Sequence, residues 1–260
     1  MIFESSCSQR NVFPDGGVLQ LFTYDESQLE EVLRSDIGRF RNAESLALAA
    51  LRRAIITGTL PPGQMIDEEM IAGHLHLSRM PVRQAMAILE SEGLVMRAYK
   101  RGVTVTELNR SEIEEIYHIR ANLESLAISR AVPSYSDAYL DDVAEVLSDL
   151  RRAGNDSADF VDLNTRFHTM LYEPSGWDTL CGLIVKLRNN IARYVAISHD
   201  FIQARPNLSV DHGRIFEACR QRDAEAAADL TRQHVFNAMN ILLKTFETEA
   251  WISVKRPEST

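Results

Sequence analysis

Four side chains in the second half of the chain have the types that bind a divalent metal ion. Asn164 and His168 are four residues apart in FVDLNTRFHTML, so they share one face of a helix. His212 and His234 flank the segment QRD at 221–223, where a turn between antiparallel helices would bring the two imidazoles together. Imidazoles that converge with one oxygen ligand can hold Zn²⁺, Ni²⁺ or Mn²⁺. By spacing alone, however, the signal is weak, because single histidines on helices are usually ordinary core or surface residues.

Two arginines in the first half of the chain suggest a different chemistry. Arg79 and Arg83 stand one helical turn apart at the front of SRMPVRQAMAILESEGLV and project from the same helix face. Arginine binds guanine edges through its bidentate fork, and it also binds phosphate. Ser78 can cap the helix that these arginines begin. The alternative is that both arginines are solvent-facing charges on an amphipathic helix.

The segments around these arginines predict a winged helix-turn-helix. A helical stripe ends at Gly58, a short helix follows at 68–75, and the helix of the two arginines runs over 79–92. LVMRA and VTV then flank YKRG at 99–102, a pattern typical of a β-hairpin. In such a motif the second helix enters the DNA major groove. The predicted hairpin has basic side chains near its tip, where a wing would touch DNA: Arg97, Lys100 and Arg101.

After residue 110 the sequence predicts only helices. Apolar residues recur at helical spacing in six segments: 111–131, 136–153, 157–173, 177–198, 208–220 and 223–248. Breaks are expected at Pro133, Gly154, Pro174–Gly176 and Pro206. The fold class is therefore mostly α, with an N-terminal winged helix-turn-helix and a C-terminal bundle of about six helices. We place the first domain at 44–107, the second at 111–248, and a poorly defined extension at 1–43.

Arg120 is the third candidate, because it lies in IYHIRANLE among residues that should face the interior of the bundle. A buried arginine needs a partner. Glu124, one helical turn further on, could be that partner. Arg193 and Asn190 could reach the same interior.

The charge of the chain does not exclude a nucleic-acid partner, although its formal value is −9. Residues 44–107 contain seven Lys and Arg against seven Asp and Glu, so the acidity lies outside the predicted DNA-binding segment. Three cysteines without a CxxC spacing argue for a reducing cytoplasm. We expect no membrane span, since no apolar run reaches about 18 residues, and no signal peptide, since the N-terminus lacks a basic region followed by an apolar core.

The first domain resembles a known family. LRRAIITGTLPPG, LSRMPVRQAMAILESEGLV and RGV look like the winged helix of GntR-type bacterial regulators over residues 48–105. The resemblance implies that Arg79 and Arg83 contact DNA and that Gly102 lies at the wing tip. Two positions depart from the family pattern. Glu69 stands where an arginine is usual, and Met80 stands where threonine is common.

The second domain resembles the FCD ligand-binding domain of the FadR-type branch over about 111–246, through RANLESLAISRA, NTRFHTMLYEPSG and the two later histidines. The resemblance implies a divalent metal ion held by Asn164, His168, His212 and His234, with Asn164 in a place where aspartate is commoner. It also implies that Arg120 meets the carboxylate of a small organic acid effector. Asp162 is no obvious substitute for the missing aspartate, because two residues along a helix turn it away.

These patterns predict a cytoplasmic, homodimeric transcriptional repressor that binds a double-stranded DNA operator and responds to a small organic acid. A metal-dependent enzyme that uses the same histidines is the alternative, and a constitutive architectural DNA binder is a third. An enzyme would need an activated nucleophile or base beside the metal. The sequence contains no HExxH, GxSxG, P-loop or glycine-rich dinucleotide motif. We therefore expect a regulator rather than an enzyme.

Overall fold

The computed structural model describes residues 26–35, 40, 42–98, 102–153 and 157–248. Its first part holds four helices and three short strands: α1 (Glu26–Arg34), α2 (Ala43–Ile56), β1 (Met65–Ile66), α3 (Glu68–His74), α4 (Arg79–Ser91), β2 (Val95–Ala98) and β3 (Gly102–Val105). Its second part is a helical bundle: α5 (Arg110–Ala131), α6 (Asp137–Arg152), α7 (Ser157–Tyr172), α8 (Asp178–Ile197), α9 (His199–Arg220) and α10 (Ala224–Thr248). The predicted fold class is confirmed.

Helices α3 and α4 form the helix-turn-helix. The side chain of Asp67 caps α3 by accepting hydrogen bonds from the backbone N–H groups of Glu69 and Met70. His76 turns the chain between the helices with a left-handed φ of 54°. Ser78 occupies the N-cap position of α4, but its side chain makes no capping hydrogen bond, so the expected side-chain cap is wrong. Four side chains of α4 turn inward to the domain core: Val82, Ala85, Met86 and Leu89.

The wing is a three-stranded antiparallel sheet with the order β1-β3-β2. The predicted hairpin corresponds to β2 and β3, and Gly102 opens β3 with a φ of 76°, a conformation that favours glycine. The sequence did not predict β1, which pairs only two residues with β3. Lys100 and Arg101 lie outside the described residues.

Part of the predicted N-terminal extension packs on the winged helix. Helix α1 lies within this extension and ends at Arg34. Leu29 and Leu33 are fully buried in the same apolar cluster as Leu51 of α2. Burying two leucines offsets the cost of ordering such a short helix, so α1 extends the core of this domain.

Helices α9 and α10 are antiparallel neighbours joined by a turn at Gln221–Asp223, as the QRD segment predicted. The predicted break at Pro206 is wrong, because α9 runs through it. A proline inside a helix removes one backbone hydrogen bond, at a cost of about 3 kcal/mol. Phe201 and Leu208 are buried on either side of Pro206, and this burial compensates the lost bond.

The two domains contact each other through α7 and α8. Lys186 of α8 donates a hydrogen bond to the carbonyl of Ser91 at the end of α4. A guanidinium nitrogen of Arg53 on α2 lies 3.9 Å from a carboxylate oxygen of Asp162 on α7. Tyr194 of α8 accepts a hydrogen bond of 2.6 Å from the backbone N–H of Leu108, in the segment that joins the wing to α5.

We expect Tyr194→Phe to lower the free energy of unfolding by about 1 kcal/mol, because it removes the acceptor of the Leu108 N–H. It should also speed hydrogen exchange at the Leu108 amide, since this bond ties the interdomain segment to α8. Urea unfolding and amide exchange by NMR measure the two effects.

The matched control is Tyr135→Phe, which removes a hydrogen bond of 2.6 Å to the carbonyl of Leu171 within the helical domain. It should cost a similar free energy and leave exchange at Leu108 unchanged. Equal exchange at Leu108 in wild type and Tyr194→Phe would show that Tyr194 does not tether the segment.

Candidate ligand-binding and DNA-binding sites

Three imidazoles meet inside the helical domain. His168 on α7, His212 on α9 and His234 on α10 are all buried. His212 Nε2 lies 3.2 Å from His168 Nε2 and 3.2 Å from His234 Nε2. One ligand nitrogen from each ring lies within 4.8 Å of the other two. Three different helices therefore bring one imidazole each to the same place.

The spacing of these nitrogens fits a shared divalent ion. Two nitrogens that bind one ion at about 2.1 Å, with an angle of about 100° between them, are about 3.2 Å apart. Burial lowers the pKa of all three histidines, and for His168 and His212 the pKa falls well below the usual value. The imidazoles are therefore neutral at neutral pH, which is the form that binds metal.

A buried carboxylate sits beside this cluster between two buried arginines. Glu124 accepts a hydrogen bond of 2.8 Å from Arg120 Nε and one of 3.0 Å from Arg188 Nη1. All three side chains are at most 9% exposed. Burial would raise the pKa of the Glu124 carboxyl, but the two arginines outweigh it and lower the pKa to about 2. The group therefore carries two positive charges and one negative charge in the domain core.

Tyr172 connects the carboxylate to the imidazoles. Its hydroxyl donates a hydrogen bond of 2.7 Å to Glu124 and lies 3.1 Å from His168 Nδ1. Because the hydroxyl proton is directed at the carboxylate, the hydroxyl oxygen accepts from Nδ1–H of His168. That tautomer leaves a lone pair on His168 Nε2, which faces the other two histidines. Burial raises the pKa of the Tyr172 hydroxyl well above its usual value, so the hydroxyl keeps its proton.

A second carboxylate faces the outer nitrogen of His234. Asp211 Oδ2 lies 3.7 Å from His234 Nδ1 and accepts a hydrogen bond of 3.1 Å from Asn237. Burial lowers the pKa of His234, and Asp211 opposes that shift. At 3.7 Å this contact is electrostatic and is longer than a hydrogen bond.

A cavity of about 50 Å³ opens beside the histidines, and its polar lining includes Arg120, Asn164, Thr165, Arg188 and His234. That volume has room for about four water molecules. Only a small ligand fits there without rearrangement of the helices. Its wall brings Asn164 to the same space as Arg120 and His234, although Asn164 and Arg120 are 44 positions apart in the sequence.

Some predicted neighbours of this site lie elsewhere. Asp162 is exposed on α7, as the helix geometry predicted. The α8 residue that bonds to Glu124 is Arg188, which the sequence analysis missed. Asn190 instead faces the winged helix, since a Cβ on Gly93 would lie 3.3 Å from its amide nitrogen. Arg193 is fully buried on another face of α8, against the ring of Tyr194.

The sequence analysis missed Arg188 and Tyr172 for different reasons. Tyr172 follows His168 by four residues, a spacing that places it on the same helix face and could have drawn attention to it. Arg188 lies in IVKLRNNI, where the apolar neighbours resemble an ordinary amphipathic helix. Its role becomes visible only when the fold brings it to Glu124 on α5.

The predicted DNA-contacting arginines lie on the exposed side of α4. The side chains of Arg79 and Arg83 are 57% and 54% exposed, and each pairs with a carboxylate of α3. Arg97 on β2 pairs with Glu90 at 3.0 Å. The first turn of α4 and the strand β2 of the wing therefore both carry exposed arginines.

An exposed helix-turn-helix with a wing, fused to a helical bundle, is the architecture of a DNA-binding regulator. Comparison with known families supports this class of protein. Residues 45–105 match the model of the bacterial regulatory proteins of the gntR family, and residues 115–237 match that of the FCD domain. The chain therefore belongs to the GntR family of bacterial regulators and carries an FCD domain.

Individual relatives support this assignment. The HTH-type transcriptional regulator of the TAR-I ttuE-ttuC' intergenic region of Agrobacterium vitis is 38% identical, over 49% of this chain and 77% of the relative. The HTH-type transcriptional repressor RspR of Escherichia coli (strain K12) is 27% identical, over 71% of this chain and 82% of the relative. The matched families and relatives are regulators of transcription rather than enzymes.

A solved structure shares the fold. A transcriptional regulator GntR from Rhodococcus sp. RHA1 superimposes with a TM-score of 0.68 and 27% identity, over 77% of this chain and 97% of the other. Within the described part of the chain, each helix is too short or too polar to cross a bilayer.

We expect Glu124→Gln to lower the free energy of unfolding by about 3–5 kcal/mol, because it removes the charge that balances two buried guanidinium groups. Urea unfolding of the metal-free protein measures the loss. Glu217→Gln is the control, since Glu217 pairs with Arg220 on the exposed surface of α9 and should leave the midpoint unchanged. A stable Glu124→Gln protein would show that the two arginines do not need this carboxylate.

Proposed function

We propose that this protein is a homodimeric transcriptional repressor whose DNA binding responds to a small carboxylate held beside a divalent metal ion. The observation that carries the proposal is a cluster of three buried imidazoles, one of which, His234, lines the same cavity as two buried arginines. Asn164, His168, His212 and His234 would hold the ion. Arg120 and Arg188 would bind the carboxylate of the effector.

The charge of the site supports an anionic ligand. Neutral imidazoles and an amide leave a divalent ion its full double positive charge. Glu124 compensates only one of the two neighbouring arginines. Uncompensated positive charge in a protein core is costly, so the cavity favours an anion. A carboxylate can complete the shell of the ion and also accept arginine hydrogen bonds.

The helices of the site also contact the DNA-binding domain, which supports a regulatory role. α7 carries Asn164 and His168, and its Asp162 lies near Arg53 of α2. α8 carries Arg188, and its Lys186 bonds to the end of α4. A ligand that favours one arrangement of α7 and α8 therefore favours one placement of α4. The change in DNA affinity can be no larger than the difference in ligand affinity between the two arrangements.

DNA binding through α4 and the wing is supported by family membership and by the exposure of the arginines. We assign base contact to Arg79 and Arg83, and backbone or minor-groove contact to the wing and the start of α4. The assigned set is Ser78, Arg79, Arg83, Arg97, Lys100, Arg101 and Gly102, of which Lys100 and Arg101 lie outside the described residues.

Dimerisation is proposed because one winged helix reads only a short half-site, and two-fold pairing doubles it. Ile119 and Leu126 lie two turns apart on one face of α5 and are 42% and 45% exposed. They offer an apolar surface to a second copy. A repressor is proposed by analogy, because one relative, RspR, is named a repressor. The cytoplasm is proposed because the three cysteines have no spacing typical of a disulfide framework.

We expect Arg83→Ala to weaken binding to the preferred half-site by about 1–3 kcal/mol and to relax the base preference at one position. Fluorescence anisotropy with a duplex enriched from a random library measures the affinity. Lys100→Ala should weaken all sequences more evenly and flatten the dependence on salt. Wild-type binding by both Arg79→Ala and Arg83→Ala would show that α4 is not the recognition helix.

We expect His212→Ala to lose most of the bound divalent metal, because it removes the nitrogen that lies nearest to both other imidazoles. Elemental analysis of purified protein measures the metal content. His118→Ala is the control, since His118 is exposed on α5 and should leave the content unchanged. Unchanged metal in His212→Ala would exclude the proposed ligand set.

The same variants test the effector class in a thermal-shift panel of small mono- and dicarboxylates. Some acid should raise the melting temperature of the wild type, and chelation, His212→Ala or Arg120→Ala should reduce that rise. Arg120→Ala also removes a hydrogen-bond donor from Glu124, so its effect on the effector is compared with that of Arg120→Lys, which conserves the charge. Stabilisation by neutral or cationic compounds alone would exclude a carboxylate effector.

A further inference from the structure

Both arginines of the recognition helix are paired with carboxylates of the preceding helix. Glu68 Oε2 accepts hydrogen bonds of 3.2 Å from both Nε and Nη2 of Arg83. Glu69 Oε2 lies 3.5 Å from Arg79 Nη1. A DNA-binding surface that needs cations therefore carries two anions next to them. The two pairs differ in how deeply the carboxylate is buried.

The Glu68 pair is the more constrained. The side chain of Glu68 is only 16% exposed, whereas that of Glu69 is 78% exposed. Glu68 therefore lies beneath Arg83, while Glu69 stands in solvent beside Arg79. Both carboxylates are in the first turn of α3, where the positive end of the helix dipole favours them, so burial is what distinguishes Glu68 from Glu69.

The geometry leaves the guanine-binding edge of Arg83 available. A guanidinium is a rigid planar fork with one edge formed by Nε and Nη2 and another formed by Nη1 and Nη2. Glu68 binds the first edge. The second edge points away from the carboxylate, and it is suited to the bidentate contact with guanine O6 and N7.

We propose that Glu68 is a positioning residue for base recognition, which holds the guanidinium of Arg83 with its Nη1–Nη2 edge directed at the major groove. Glu69 has no such role, and its negative charge repels DNA phosphate regardless of the base sequence. This inference rests on the proposed DNA contact of Arg83.

Orientation matters because a free arginine side chain has many rotamers that must be lost on binding. A surface ion pair adds little to stability, so Glu68 is not needed to hold the fold. Its cost is a negative charge near DNA, which weakens phosphate-driven binding to all sequences. A carboxylate that orients one base contact and weakens non-specific binding raises the ratio of specific to non-specific affinity.

The test is selection from a library of duplexes with a randomised core, followed by anisotropy titrations on the enriched duplex and on an unrelated one. Wild type, Glu68→Gln, Glu69→Gln and Arg83→Ala are compared as full-length proteins at several salt concentrations. Arg83→Ala identifies the base position that Arg83 reads. Circular dichroism and melting temperature show that each variant is folded.

We expect Glu68→Gln to lose about tenfold of the base discrimination at the Arg83 position, within the range that one bidentate contact supplies. Glu69→Gln should bind every duplex more tightly and keep the discrimination. Glu68→Asp, which keeps the charge on a shorter side chain, should fall between Glu68→Gln and wild type.

Two results would overturn the proposal. If Glu68→Gln keeps both the affinity and the base discrimination of wild type, Arg83 does not need Glu68 to be oriented. If it keeps the discrimination but binds DNA more tightly, Glu68 only competes with DNA for Arg83. If Arg83→Ala itself leaves every base preference unchanged, the proposed DNA contact fails, and this outcome is distinct from a failure of Glu68.

Discussion

The helical domain is organised around one buried carboxylate. Glu124 bonds to Arg120, Arg188 and Tyr172, which come from α5, α8 and α7. A buried guanidinium without a partner would be strongly destabilising, so these helices must stay close enough to share one carboxylate. Its tyrosine bond also fixes the tautomer of His168. The geometry of the imidazole cluster therefore depends on a residue that lies outside the cluster.

The same arrangement explains why the cavity is positive although the helical domain is acidic. Residues 108–260 carry 17 Lys and Arg against 23 Asp and Glu. Among the described acidic residues of this part only Glu124 is buried, and water screens the others. Inside, two arginines share one carboxylate, and the pKa of the histidines is lowered so that they add no charge. Net charge thus describes the surface of this domain and says little about its ligand.

The sequence predicts the fold better than the site, for physical reasons. Helical periodicity and caps are local, so the six helices of the bundle and the helix-turn-helix could be placed from the chain alone. Pro206 was misleading because tertiary burial outweighed its local effect. Arg188 could not be assigned, since its partner is 64 positions away and no spacing rule links the two. The pairing of Arg120 with Glu124 was predictable, because it is one helical turn.

The two domains use arginine in opposite ways, and burial sets the difference. In the core, Arg120 and Arg188 are held by a carboxylate that they cannot leave without a large electrostatic cost. On α4, Arg83 is half-exposed, and its pair with Glu68 is worth little in stability. The surface arginine is therefore free to add a second partner on its open edge. A neutral DNA-binding domain, with seven charges of each sign in residues 44–107, must depend on such oriented contacts more than on bulk attraction.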